Sequence, residues 1–219
     1  LVSNGDVTVS SAPSLTGNIS ISAIGKIDLP DISSATGKLE LENLRAPTGS
    51  DISVSKPSLT KLVEINSAGS VIANSNNGFQ SAETISITAA ESSSIQAISE
   101  VPKSVSLNAV NQTGADVIFD IDIDAMTTLS LGGSAPLLLT CAGEDLNQTV
   151  VTTTNSNETS ILVTSADTDL SKVSADIKIR INNLDGKKIT VGEDQNLAID
   201  AEVAQTASTS TPEYIFSTP

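Results

Sequence analysis

The chain has no histidine, no tryptophan, one cysteine and an aromatic content of 2%. Each shortage removes a class of chemistry. Without imidazole a conventional Ser-His-Asp or Cys-His arrangement cannot be assembled, and zinc loses its usual ligand. Cys141, in the apolar run PLLLTCAG, has no partner for an internal disulfide, and its surroundings predict a buried, inert thiol. Phe79, Phe119, Tyr214 and Phe216 are the whole aromatic set, too few for the ring platforms of a sugar-cleaving groove. Positive charge is short as well: 11 Lys and Arg stand against 26 Asp and Glu, a formal net charge of -15. Such a field repels phosphate backbones, which excludes nucleic acid as a partner. No run approaches the roughly 18 apolar residues of a membrane span, and no signal peptide is evident.

What is present points to strands. The 219 residues are enough for one sizeable domain, and 38% are hydrophobic, mainly Ile, Val, Leu and Ala. Ser and Thr make up about a quarter of the chain, favouring strands and turns over helix interiors. The chain begins at Leu1 rather than Met, which predicts a fragment or a processed product.

A repeat organises these residues. The beat apolar-x-apolar-x-x-small-or-apolar occurs as ISISAI from Ile19, LELENL from Leu39, VEINSA from Val63, ISITAA from Ile85, VSLNAV from Val105 and LSLGGS from Leu129. Weaker copies are VVTTTN from Val150 and IKIRIN from Ile177. The strong copies start about 20 to 24 residues apart, within the period of solenoid repeats. Between beats sits a second short apolar segment: KIDL, DISV, SVIA, SIQAI, VIFDIDI, PLLL and SILV.

Side chains alternate across a strand, so Ile19 and Ile21 face one way and Ser20 the other. One such rung buries almost nothing, whereas rungs stacked about 4.8 Å apart align their inward positions into apolar ladders. Pro13, Pro30, Pro57 and Pro102 precede beats, where a residue lacking an N–H suits a corner but would break a ladder in mid-strand. The pattern predicts an all-β, right-handed parallel β-solenoid of about seven rungs over residues 1–174. Toward the C-terminus the rhythm changes. ADIKIRINNLDGKKITVGEDQNLAIDAEV alternates on both sides of Asp185-Gly186, a hairpin-turn signal, and predicts an antiparallel cap over residues 175–203. Residues 204–219 read as a tail or linker.

The one dense acidic run is FDIDIDAM, where alternation puts Asp120, Asp122 and Asp124 on one strand face. Hard cations such as calcium take several oxygens from such groups, so these three are the candidate metal ligands. The run departs from the calcium-loop pattern, with Ala125 and Leu131 at the positions that need Gly and a carboxylate. The competing reading is a solvated outer strand face with Phe119, Ile121 and Ile123 pointing inward. The same three aspartates are the candidates for a carboxylate-dependent glycosidase. Sequons at Asn18, Asn111, Asn147 and Asn157 are about as many as chance supplies in so Ser/Thr-rich a chain. Ser20, Thr84, Ser86, Thr88, Ser104, Ser106 and Thr128 form a small polar outer face, but mixing with Lys38, Glu40 and Glu42 speaks for solvated surface over an ice-binding array.

The string LTGNISISAIGKIDLPDISSATGKLELENL resembles the receptor L-domain type of leucine-rich-repeat-like solenoid found in fungal cell-wall proteins and surface proteins of Bacteroidetes. The likeness covers roughly residues 7 to 180. It departs from the leucine-rich pattern where Asn is expected after the beat, since Ile24, Leu44, Ala68, Ala90, Val110 and Ser134 stand there. The resemblance implies an extracellular or cell-surface protein, a non-catalytic scaffold or adhesion module without a cofactor, whose partner is a surface or matrix protein or a glycan. The alternatives are a polysaccharide-acting β-helix enzyme, which needs convergent carboxylates in a groove, and a structural element of a fibre or surface layer, which needs symmetric self-association.

Overall fold

A computed structural model describes residues 1–10, 17–29, 37–44, 51–54, 61–74, 79, 82–98, 104–123, 127–165, 167–182, 188–192, 197–202 and 213–216. The first half of the strands are β1 (Val2–Ser3), β2 (Val7–Thr8), β3 (Ile19–Ala23), β4 (Ile27–Leu29), β5 (Lys38–Asn43), β6 (Ile52–Val54), β7 (Leu62–Ser67), β8 (Val71–Asn74), β9 (Thr84–Ala89) and β10 (Ser93–Ile98). They continue as β11 (Ser104–Ala109), β12 (Val117–Ile123), β13 (Thr128–Gly133), β14 (Leu137–Cys141), β15 (Val150–Thr153), β16 (Thr159–Val163), β17 (Thr168–Asp169), β18 (Lys178–Asn182), β19 (Lys188–Val191), β20 (Ala198–Glu202) and β21 (Glu213–Phe216). A 3-10 turn, Glu144–Leu146, interrupts the series.

Odd-numbered strands β1 to β15 stack into one eight-stranded sheet, even-numbered β2 to β20 into a second of ten, and β17, β19 and β21 into a third of three. Every pairing among the described strands is parallel. The molecule is therefore a parallel β-solenoid, each turn adding one strand to each broad sheet. Register follows the beat. Ile19, Leu39, Val63, Ile85, Val105, Leu129 and Val151 form one column, and Ile21, Leu41, Ile65, Ile87, Leu107 and Leu131 the next inward one. From Leu39 onward the members of the first column are fully buried, because each rung covers the one before it.

A third inward column lies at the strand ends. It is formed by the fifth residue of the beat, Ala23, Asn43, Ser67, Ala89 and Ala109, while the sixth turns out, with Leu44 58% exposed. Strict alternation continues to the strand's end, so the inward position is two residues beyond the second apolar one. Small side chains suit this place beside the corner. Where the residue is polar it has a use: Asn43 Oδ1 accepts from the Ala68 amide, and the Ser67 hydroxyl donates to the Ser70 carbonyl at 2.9 Å. The column ends at Gly133 (φ +114°), where a Cβ would collide with the Ala109 carbonyl oxygen.

Corners are tied from rung to rung by short polar side chains. Asp6 accepts from the Lys26 amide at 2.9 Å, Asn18 from Lys38 at 2.9 Å, Asp51 from Ser70 at 3.2 Å, and Asp167 from Lys188 at 2.7 Å. Backbone groups that leave the ladders at each bend are thereby satisfied.

The expected antiparallel cap is corrected by the pairing. β18 lies parallel on β16, with Ile179 on Ile161 and Ile181 on Val163, and β20 lies parallel on β18. Ile179 and Ile181 are buried through this stacking, whereas a hairpin between β18 and β19 would take them off the column they extend. β18 and β19 instead belong to different sheets. The weaker beats are likewise re-registered: Val151 rather than Val150 continues the first column, and IKIRIN belongs to the second sheet. Glu213–Phe216, within the expected tail, adds a parallel strand to β19. Pro13, Pro30, Pro57, Pro102 and the Asp185-Gly186 turn lie outside the described residues.

Candidate functional site

β12 places its residues as alternation requires. Val117, Phe119, Ile121 and Ile123 are buried, and Ile118, Asp120 and Asp122 face out. Asp120 Oδ2 accepts from Gln96 Nε2 at 3.2 Å, across to β10. Asp124 lies outside the described residues. The two described carboxylates of the row share one strand face, and one of them is engaged by an amide. Among the described residues no three His, Cys, Asp or Glu side chains converge on a point.

A residue that the sequence reading passed over lies behind this row. Asp145, in the 3-10 turn after β14, is 5% exposed. Its Oδ2 accepts from the Ala142 amide at 2.8 Å, and the Ile123 backbone at the end of β12 bonds it as well. The Thr149 hydroxyl donates to the Asp145 carbonyl at 2.7 Å, closing the turn. Burial pushes the Asp145 carboxyl up to about 7; the Ala142 bond opposes this, and the charges of Asp122 and Glu144 add to it. A carboxyl poised near neutrality beside a second one is the pairing used for acid and base catalysis. Here the carboxyl is held by backbone bonds inside a turn that leaves the residue 5% exposed. The only signal in the sequence is the GEDL string, where an acid sits directly before a leucine that proves fully buried, Leu146.

Cys141, on β14, is 2% exposed, and burial raises its thiol pKa, with the Asp145 and Asp120 charges adding to the effect. It is an inert core residue. Phe79 and Phe119 are fully buried, so neither offers a ring to a ligand.

The outer face of the first sheet is a regular surface of eight stacked strands. Over β9, β11 and β13 its columns are Thr84, Ser104 and Thr128; Ser86, Ser106 and Ser130; and Thr88, Asn108 and Gly132. None of these is charged. Charge gathers one or two rungs earlier, where Lys38 Nζ lies 2.8 Å from Glu64 and 3.3 Å from Glu40. The contact with Glu64 raises the Lys38 pKa and lowers that of Glu64. At the corner beside this face a shallow groove of about 430 Å³ is lined by Ala68, Ala90, Val110 and Asn111, with Glu91 its carboxylate. The side chains at the post-beat positions are small, and this opens the groove.

No protein-family model, curated protein or solved structure matched the chain. Among the described residues no helix is long and apolar enough to cross a membrane.

Proposed function

We propose that this solenoid is a non-catalytic surface scaffold or adhesion module, displayed outside the cell, that binds a matrix protein or glycan weakly and at many points. The observation that supports this reading most is the outer face of β9, β11 and β13, nine uncharged positions in three straight columns. Eight of the nine positions offer a small polar side chain on rungs about 4.8 Å apart, and the ninth, Gly132, is buried and has none. Tight recognition concentrates in buried aromatic and arginine anchors, and Phe79 and Phe119 are committed to the core. Affinity then comes from copy number, since linked weak sites gain avidity without a better contact.

The test is a panel of glycans and matrix proteins offered to the chain in free form and clustered on beads. We expect free-chain binding no tighter than about micromolar and a large gain on clustering. Turnover of any polysaccharide, or nanomolar binding by the free chain, refutes the reading. Labelling intact cells with a membrane-impermeant reagent tests the location.

A further inference from the structure

The two broad sheets differ in what they turn outward. On the first, the outward-facing Leu62 on β7 and Val150 on β15 stand four strands apart, whereas three consecutive strands of the second each present an apolar residue: Ile118 on β12, Leu138 on β14 and Leu162 on β16. Ile118 is 36% exposed and the other two are partly exposed. Register stacks Ile118 beside Leu138, and Leu162 beside Thr140, two residues along β14 from Leu138. Charge flanks this strip with opposite sign. Asp120 and Asp122 stand on β12, and Lys178 and Arg180 on β18.

The same register fixes two columns, Ile118–Leu138–Ser160–Lys178, in which Ser160 is only 5% exposed, and Asp120–Thr140–Leu162–Arg180. Lys178 holds Glu158 at 2.8 Å. Arg180 reaches that carboxylate only at 3.9 Å, its side chain 49% exposed, and Asp200 stands opposite it on β20.

We propose that this face docks a second copy of the chain about a two-fold axis that runs parallel to the strands, between β14 and β16. That operation reverses the order of strands and preserves position along them. β12 of one copy then faces β18 of the other, bringing Asp120 opposite Arg180 of the second copy and Ile118 against the stem of its Lys178. β14 faces β16, so that Thr140 meets Leu162 and Leu138 meets Ser160. A two-fold axis along the coil instead sets Lys178 against Arg180 of the other copy, like charge on like. The pairing is isologous and closes at two copies, so it builds a dimer and not a fibre. Four strands about 4.8 Å apart make a patch far smaller than the roughly 800 Å² per partner of a stable complex, so the dimer is weak.

The measurement needs no glycan or matrix ligand, and its outcome is separate from that of the binding panel. Sedimentation velocity of the whole chain from about 10 µM to about 1 mM should show reversible dimerisation near 0.1 mM. Asp120→Arg and Arg180→Asp should each weaken it about tenfold or more, and the double exchange should restore it to within about threefold. Circular dichroism of each variant establishes that the strands are intact. A chain that stays monomeric to about 1 mM overturns the proposal. So does a dimer that ignores both single reversals, or one that the double exchange fails to rescue.

Discussion

Ile85→Ala, set against Ser86→Ala one position along, tests the inward register. Ile85 lies between Val63 and Val105 in the first column and is fully buried, while Ser86 lies between Glu64 and Ser106 on the outer face. The first change removes three carbons from a site that neighbouring rungs hold open on both sides. At about 0.8 kcal/mol per methylene the transfer loss is about 2.4 kcal/mol, and the cavity brings the total to about 3–4 kcal/mol. For a chain of this size that lowers Tm by roughly 6–16 °C. Ser86→Ala removes a hydroxyl from a half-exposed position and should change stability by about 0.5 kcal/mol or less. Thermal and urea denaturation followed by circular dichroism reads both, and an unchanged urea m-value shows that the coil still unfolds as the same unit. Equal losses for the two variants, or a loss below about 1 kcal/mol at Ile85, would refute the register.

Three further outcomes are expected. Gly133→Ala should destabilise the coil by about 1–3 kcal/mol in urea denaturation, since φ +114° is strained for any side chain and the Ala109 backbone occupies the space; a neutral result contradicts the close approach of β13 to β11. Asp145 binds its proton up to about pH 7 when folded and only to about pH 4 when unfolded, so its favourable contribution is complete below pH 4 and lost as pH rises through 7. Asp145→Asn should therefore raise Tm relative to the native chain at pH 8, keep only part of that advantage at pH 5 and lose it below pH 4; a pH-independent difference means that the carboxyl is not the cause. Millimolar calcium should leave Tm unchanged, and a calcium-dependent rise abolished by Asp120→Asn would restore the cation reading of the acidic row.

Much of this molecule was legible in one dimension. Period-2 alternation in ISISA, LELEN and ISITA set which side chains point inward, and recurrence of the beat every 20 or so residues set a parallel coil, because equal spacing lets identical strands stack in register. VIFDIDI was read to the residue as a strand with Phe119 inside and Asp120 outside.

Other features depend on what lies one rung away, which no local pattern records. KIRIN followed by KITV is as good a hairpin as it is two successive rungs; only the columns ending in Ile161 and Val163, waiting to be covered, decide for the parallel coil. The sixth residue of the beat is often apolar, yet the chain has already reached its corner there and Leu44 points to water. Asp145 looks like any surface acid in a Gly-containing turn. Its burial follows from the packing of Leu146 and the return of the Ile123 backbone from a strand more than twenty positions earlier, and desolvation is a property of that packing alone. Likewise, Asp120 and Arg180 are unrelated in the sequence, and three stacking intervals bring them into one outward column.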